Sequence, residues 1–571
     1  MPSGFGSGAA ASTGRMLRLS PAPPGRHNPK VLQTYVEADY TAAERAVLDR
    51  HFTSIDGPAA VLVNLPDVTR AALFARYSRT AKPLKRVFLD EFHREGEAAL
   101  ASGEVGLERA SDLFSRVLAD YGDDSVAQLA GVHVSCEQVS NLLTKVLERG
   151  RLMGYLEQST RYVFYGDRPG GRYRYHRDPE VFSGPLAGKV EAALDGLFDT
   201  YCLVNDAVRE MLQRDVPPDD AAARRAARAA ALDVARGLLP AATVSNVGMF
   251  GSPQAYEQLI LRMRSHELPE ARAYAELLLP ELMKVIPDFL TRLDRPERGG
   301  VWVDYRRDRT GALESIAAEM DGQISFGRPG PLASTETRPE YSEGVRLLRW
   351  TPDAEDEILA NALFAHSHRP LDVLRKHVAA LPLDRRQDLF RAAVGTRLNR
   401  RHHPGREWEA AEYEFEIISD YGAFRDLQRH RLLTIEWQRL TPNLGYAVPA
   451  EADAAGVGEA WRTAVDRAED VYQEVAAEYS PAQASYLVSM GHRLRYVMRM
   501  NAREAMHLVE LRSSPQGHPS YRRVAQQMHG LIRDVAGHQL IAGAMNFVNQ
   551  DDVHLGRLEA EKRLEGRPPA S

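Results

Sequence analysis

Two arginine-bearing stretches stand out for the chemistry their residues can do. One runs Arg149-Gly150-Arg151-Leu152-Met153-Gly154-Tyr155-Leu156-Glu157-Gln158-Ser159-Thr160-Arg161-Tyr162, and the other holds Arg429-His430-Arg431. Ser159, with its hydroxyl and adjacent backbone N–H groups, can hold phosphate oxygens. The planar forks of Arg161, Arg236 and Arg512 can make charge-assisted contacts to an anion. Taken singly, these residues have plainer readings. An Arg-x-Arg at a helix end is usually solvated or carboxylate-paired, Ser159 would be a turn cap, Tyr162 core, and His507 a satisfied core histidine. Their joint spacing is what argues for a site. Other familiar patterns fail. Gly184-Pro185-Leu186-Ala187-Gly188-Lys189 is one residue short of a phosphate loop and has Val190 where a magnesium-holding hydroxyl belongs. Cys136 and Cys202 sit near no histidine cluster and His402-His403 near no cysteine, so no metal is expected.

The elements that must position these residues are mostly helical. From Val139, the residues Leu142, Leu143, Val146 and Leu147 form one apolar stripe of a helix that runs into the first Arg-x-Arg. Tyr413, Phe415 and Ile417 alternate with Glu412, Glu414 and Glu416, which predicts a strand with one buried and one wet face. Its counterpart is expected near Val132 to Val134. The fold class is therefore α+β and helix-rich.

The chain also repeats itself. Leu147-Glu148-Arg149-Gly150-Arg151-Leu152 returns as Leu427-Gln428-Arg429-His430-Arg431-Leu432, an offset of 280, and setting Arg264 against Arg512 gives a later offset of 248. The difference predicts extra length in the first copy, around Phe164 to Pro185. Composition supplies the boundaries: a disordered tail over 1–28, a first copy over 29–293, a Pro- and Gly-rich linker over 294–341 and a second copy over 342–560.

The 571 residues carry 72 Lys plus Arg against 78 Asp plus Glu, a net charge of −6 that disfavours nucleic acid as a partner. Arg224 to Arg236 is interleaved with Ala and reads as helix. Two cysteines fit a reducing compartment, and no run approaches the roughly 18 apolar residues of a membrane span, so a cytoplasmic protein with no membrane partner is expected.

Against these motifs a resemblance becomes visible. Glu157 to Tyr162 resembles the nucleotide-binding segment of flavin-dependent thymidylate synthases, in which an Arg-His-Arg element precedes a Glu-x-Ser-x-Arg-Tyr run by a fixed interval. The first copy keeps the interval with Ser159, Arg161 and Tyr162, but Gly150 replaces the histidine. The second keeps Arg429-His430-Arg431, while Arg439 and Thr441 stand where the Ser and Arg would be. Asn501-Ala502-Arg503 through Leu511-Arg512 resembles the family's Asn-x-Arg helix with its terminal nucleotide-binding Arg, and His507 lies at the intermediate polar position. In the first copy Pro253, Gln254 and Ala255 replace the opening triplet, so only Arg264, or less readily Arg262, could substitute. Arg236-Gly237-Leu238-Leu239-Pro240 resembles the family's Arg-x-x-Leu-Pro segment, whereas the second copy has Ser485 and Ser489. His403, with Glu409 behind it, resembles a flavin-contacting His, at a spacing one residue longer than the family's. Asp426 and Val146 stand where the family has a nucleotide-facing Gln.

The resemblance implies two tandem thymidylate synthase-like domains that methylate dUMP to dTMP, with FAD as cofactor and methylenetetrahydrofolate and NADPH as further ligands. It implies a nucleotide set of Glu157, Ser159, Thr160, Arg161, Arg236 and Arg512, with Ser159 and Arg512 as catalytic residues. It implies a FAD set of His403, Glu409, Arg429, His430, Arg431, Asn501 and His507. Family enzymes are homotetramers with shared active sites, so a double copy implies a homodimer and one composite site in which the two incomplete copies complement each other. The rival expectation is a degenerate paralogue that binds flavin or nucleotide and serves as scaffold or regulator.

Overall fold

The computed structural model describes residues 39–56, 60–77, 80, 82–93, 128–323, 343–551 and 562. The expected tail over 1–28 lies outside the described residues. Two compact units result: one gathers the described residues up to Val134 with Phe250–Ser265 and Tyr274–Arg307, the other Ser135–Met249, His266–Ala273 and the residues from Asp308 onward. The principal helices are α1 (Ala42–His51), α2 (Asp67–Tyr77), α3 (Asn141–Leu147), α4 (Ala187–Gln213), α5 (Ala221–Ala235), α6 (Pro253–Arg264), α7 (Val301–Gln323), α8 (Tyr421–Leu427), α9 (Gly458–Glu478), α10 (Ala502–Arg512) and α11 (Pro519–Asp534). The strands are β1 (Val132–Ser140), β2 (Met153–Glu157), β3 (Val244–Gly251), β4 (Gly344–Trp350), β5 (Glu412–Asp420), β6 (Leu433–Trp437) and β7 (Arg493–Asn501). The fold is α+β and helix-rich. Among the described residues no helix is long and apolar enough to cross a membrane.

In the smaller unit α1 opens with a reciprocal cap in which Thr41 and Glu44 satisfy each other's backbone N–H groups. Leu48, Phe52 and Phe88 close its core, the last two rings meeting edge to face at 5.5 Å.

The larger unit is built around sheets. A four-stranded antiparallel sheet has the order β4-β5-β7-β6, with Glu412 opposite Asn501 and Asp420 opposite Arg493. Tyr413, Phe415 and Ile417 are buried, as their alternation predicts. A three-stranded sheet has the order β1-β3-β2, so β5-β7-β6 repeats it, and among the described residues β4 has no counterpart in the first copy. The strand predicted near Val132 begins there and continues through Ser140, which delays α3 to Asn141.

Helix caps fix the register of the duplication. Ser140 caps α3 by accepting from Leu143 N at 3.0 Å, and Asp420 caps α8 by accepting from Ala423 N at 2.8 Å; the two are 280 apart. Ser252 caps α6 and Asn501 caps α10, and these are 249 apart rather than 248. Arg512 is thus matched by Met263, which is fully buried, and the first copy's opening triplet is Ser252-Pro253-Gln254. The pairing of Arg264 with Arg512 read from sequence is one residue out, because it followed the arginines rather than the capping oxygens. The extra length of the first copy lies partly where expected, since Glu157 to Ala187 spans 30 positions against 21 from Trp437 to Gly458, and the larger share lies further on. α5 has 15 residues where the second copy has the four of Pro481–Ala484, and α4 has 27 against 21 in α9.

Equivalent residues of the two copies meet across a local two-fold. Pro240 bridges Ser489, flanked by Met490 N donating to Leu239 O at 2.9 Å and Ala241 N donating to Val488 O at 2.8 Å. Tyr421 donates its hydroxyl to the carbonyl of its own equivalent, Asn141, at 2.8 Å. Within the stretch 294–341, expected as linker, Val301–Gln323 forms α7, where no proline falls between Pro296 and Pro329 to interrupt it.

Candidate functional site

The arginine motifs converge on one cluster, every member of which lies in the larger unit. At the C-terminal end of β2, Glu157 is buried and collects three cations: Arg425 Nη2 at 2.7 Å, Arg429 Nη2 at 2.7 Å and Lys145 Nζ at 3.2 Å. Lys145 comes from α3 of the first copy, and Arg425 and Arg429 from α8 and the turn after it. Burial alone would push the Glu157 carboxyl up, but Arg425, Lys145 and Arg429 hold it well below the usual carboxylate range. Arg425 also donates to Thr160 Oγ1 at 3.2 Å.

Next to Arg425 on α8, Asp426 faces Arg236 at 3.4 Å and Arg429 at 4.0 Å. Its burial is outweighed by Arg429, Arg236, Arg512 and Arg161, which keep it ionised far below the ordinary aspartate value. Arg236 is buried, and its Nη2 has no hydrogen-bond partner in the structure. It lines a cavity of about 450 Å³ together with Asp233, Trp461, Met490 and His518.

Arg161 is held by a bidentate pair with Asp233 of α5, at 2.8 and 3.1 Å, and donates to Tyr521 Oη at 2.7 Å and to the Gln516 carbonyl at 3.1 Å. Arg512 ends α10 beside the ring of Tyr521 and donates through Nε to His430 Nε2 at 3.1 Å. His430 in turn meets Glu504 Oε1 through Nδ1 at 2.7 Å. Burial, then Arg512 and Arg431, push the His430 pKa well below the usual imidazole value, so the ring is neutral. Within this cluster six cations (Lys145, Arg161, Arg236, Arg425, Arg429, Arg512) meet five carboxylates (Glu148, Glu157, Asp233, Asp426, Glu504). No carboxylate among the described residues pairs with Arg512.

The sequence-derived residues are placed as follows. Glu157 and Arg429 touch directly, Arg236 reaches Arg429 through Asp426, and Arg161 reaches Arg512 through Tyr521. Arg431 stacks over Tyr155 at 4.4 Å and donates to the Arg429 and Met153 carbonyls. The rings of His403, His507 and His430 form a row, with centroids 5.2 and 5.3 Å apart. Burial lowers His403, and burial with the neighbouring His430 and His403 brings His507 down to about 4. Ser159 Oγ accepts from the Arg161 backbone N–H at 3.2 Å, which shapes its own loop. Asn501 spends Oδ1 on the α10 cap, and Glu409 pairs with Arg406 at 3.0 Å and Arg503 at 4.0 Å. Tyr162 is exposed rather than core. Sequence reading missed Lys145, Asp233, Arg425, Glu504 and Tyr521. One signal was available for Arg425, which lies four residues before Arg429 and so shares its helix face.

The folds of the two halves define a duplicated domain protein, and its buried arginine cluster draws side chains from both copies. The family described as thymidylate synthase complementing protein matches residues 67–288 and 346–537, and the chain belongs to that family. It is 36% identical over 92% of its length to a UPF0159 protein of Chlamydia muridarum, 35% over 93% to one of Chlamydia pneumoniae and 31% over 87% to one of Thermoplasma acidophilum, covering 99%, 99% and 98% of those chains. A solved structure of the UMP/dUMP methylase PolB from Streptomyces cacaoi, bound with 5-Br dUMP, aligns with 36% of this chain and 96% of its own at 16% identity and a TM-score of 0.29, a likeness that carries no argument.

Proposed function

We propose that the protein binds dUMP in the composite site and methylates it to dTMP as a flavin-dependent thymidylate synthase, with methylenetetrahydrofolate as one-carbon donor and NADPH as reductant. The observation that carries this reading is the excess of cations over carboxylates in a cluster drawn from both copies. Arg512, which makes no direct ion pair and feels Asp426 only at longer range, and the unpartnered Nη2 of Arg236 are the groups a phosphate monoester would neutralise. Ser159 and Arg161 frame the phosphate side, and Glu157 acts by fixing Arg425 and Arg429 rather than by touching ligand.

The donor set suits FAD in part. Arg429, Arg431, His403 and His507 are half-buried, and two neutral imidazoles beside two guanidinium groups can hold a flavin ring and its phosphates. Bound there, FAD would supply the redox step, while the protein supplies orientation and charge. The chain would work as a homodimer, the equivalent of four single copies.

A second reading, a nucleotide- or flavin-binding paralogue without turnover, is favoured by one observation: the carboxylate of Asp233 already occupies the fork of Arg161. Purified protein titrated with FAD and with dUMP, followed by rescue of a thymidine auxotroph, separates the two. The enzyme reading expects flavin absorbance, dUMP binding weakened by Arg512→Ala, and rescue. Binding without rescue favours the paralogue. Protein that takes up neither ligand overturns both.

A further inference from the structure

From the contacts of His430 we infer that this residue and Glu504 are positioning residues that aim Arg512 at the nucleotide, not flavin contacts. The inference rests on the nucleotide reading above and assigns these two side chains a part in it. His430 is buried at 8% exposure, and both of its ring nitrogens are engaged inside the protein. Glu504, fixed at the first turn of α10 where its backbone N–H donates to Asn501 Oδ1 at 2.9 Å, presents Oε1 to His430 Nδ1 at 2.7 Å. A carboxylate oxygen in that place makes Nδ1 the protonated nitrogen, and the bare Nε2 must then accept. Arg512 Nε–H points to it at 3.1 Å. The guanidinium is so held by its Nε, which leaves its terminal nitrogens to face the ligand.

The same geometry weighs against a metal in this place. His430, Glu504 and His507 bring three possible ligand atoms within 4.8 Å of one another. An ion on His430 Nδ1 would leave the proton on Nε2, where it would confront the Arg512 N–H donor. Two donors facing each other lose the bond that orders Arg512.

Two substitutions divide the two ends of the imidazole. In His430→Gln the amide oxygen can stand at the Nε2 position and accept from Arg512. In His430→Asn the shorter amide can still donate to Glu504 but does not reach Arg512. Calorimetric titration should show dUMP affinity about tenfold weaker in His430→Asn, restored to within about twofold in His430→Gln, with FAD affinity unchanged in both. Loss of FAD affinity with dUMP affinity intact would make His430 a flavin contact and overturn the inference, as would a Gln variant no better than Asn. Wild-type protein that binds no dUMP would fail the nucleotide reading itself. Should either variant not fold, the imidazole 15N shifts of the wild-type protein decide: a protonated Nδ1 and bare Nε2 are expected, and a proton on Nε2 overturns the assignment.

Discussion

Arg161 of the first copy and Arg512 of the second lie at the same distance, 5.6 Å, from the ring centroid of Tyr521. The two guanidinium groups would repel each other across an open cleft. The ring lies within cation–π reach of both, and its hydroxyl accepts from Arg161 Nη1 at 2.7 Å. Tyr521 thus couples the two half-sets of arginines that neither copy holds alone. Replacing Tyr521 with Phe keeps the ring and removes only the acceptor. It should weaken dUMP binding about fivefold to tenfold, or about 1 to 1.4 kcal/mol, with the fold intact. Unchanged affinity by calorimetry would remove Tyr521 from the site.

Glu157 should matter more to stability than to ligand. Its carboxylate faces three buried or half-buried cations, so Glu157→Gln leaves Arg425 and Arg429 short of a counter-charge. Breaking a buried pair in this way costs about 3 kcal/mol or more. Chemical denaturation at neutral pH should show a loss of that order. A variant as stable as wild type but unable to bind dUMP would return Glu157 to the role of ligand contact.

Much of this was legible in the sequence because it repeats short signals. The alternation at Tyr413 to Ile417 and the recurrence of Arg-x-Arg at an offset of 280 located the strands, α3 and α8, and the complementary losses pointed to a shared cluster. The counter-ions were not legible. Asp233, Glu504 and Tyr521 come from elements far away in sequence, and no spacing rule links them to the arginines they hold. The offset of 249 that sets Arg236 against Ser485 slips to 248 in the sequence reading of α6 and α10 for a related reason: a cap is recognised by a backbone N–H that only the folded helix provides. The motif match makes Asn501 and Glu157 ligand contacts, whereas the fold uses Oδ1 of one and the whole carboxylate of the other internally.

Stability should fall with pH in two stages. His507, brought down to about 4, and His430, held well below its usual value, bind a proton more readily unfolded than folded. Between their unfolded value near 6.5 and their folded values the unfolded state carries more protons, so stability is full above about 6.5 and declines as pH drops toward 4. Glu157 and Asp426 are depressed carboxylates. Their contribution is present above the unfolded values, about 4 to 4.5, and is lost as pH falls through the lower folded ones. Urea midpoints at pH 7.5 and 5.5 should differ less in His507→Gln than in wild type. An equal difference would mean that His507 titrates normally.

The corrected register makes the last prediction. Arg264 is engaged away from any nucleotide group, with Glu276 at 2.7 and 3.0 Å, Asp294 at 3.1 Å and the Leu293 carbonyl at 3.3 Å. Arg512 has a neutral imidazole instead of a carboxylate. Two arginines that sequence places in equivalent positions should therefore behave differently. Arg264→Ala should cost about 1 kcal/mol of stability, since its pairs are only partly screened, and leave dUMP affinity within about twofold. Arg512→Ala should lower that affinity about tenfold to a hundredfold, the loss of one or two charge-assisted hydrogen bonds to a phosphate or base oxygen. Both are read in one calorimetric series. If the two variants lose affinity equally, the first copy has kept a nucleotide arginine, the helix caps do not mark the true register, and the composite site must be redrawn with one nucleotide in each copy.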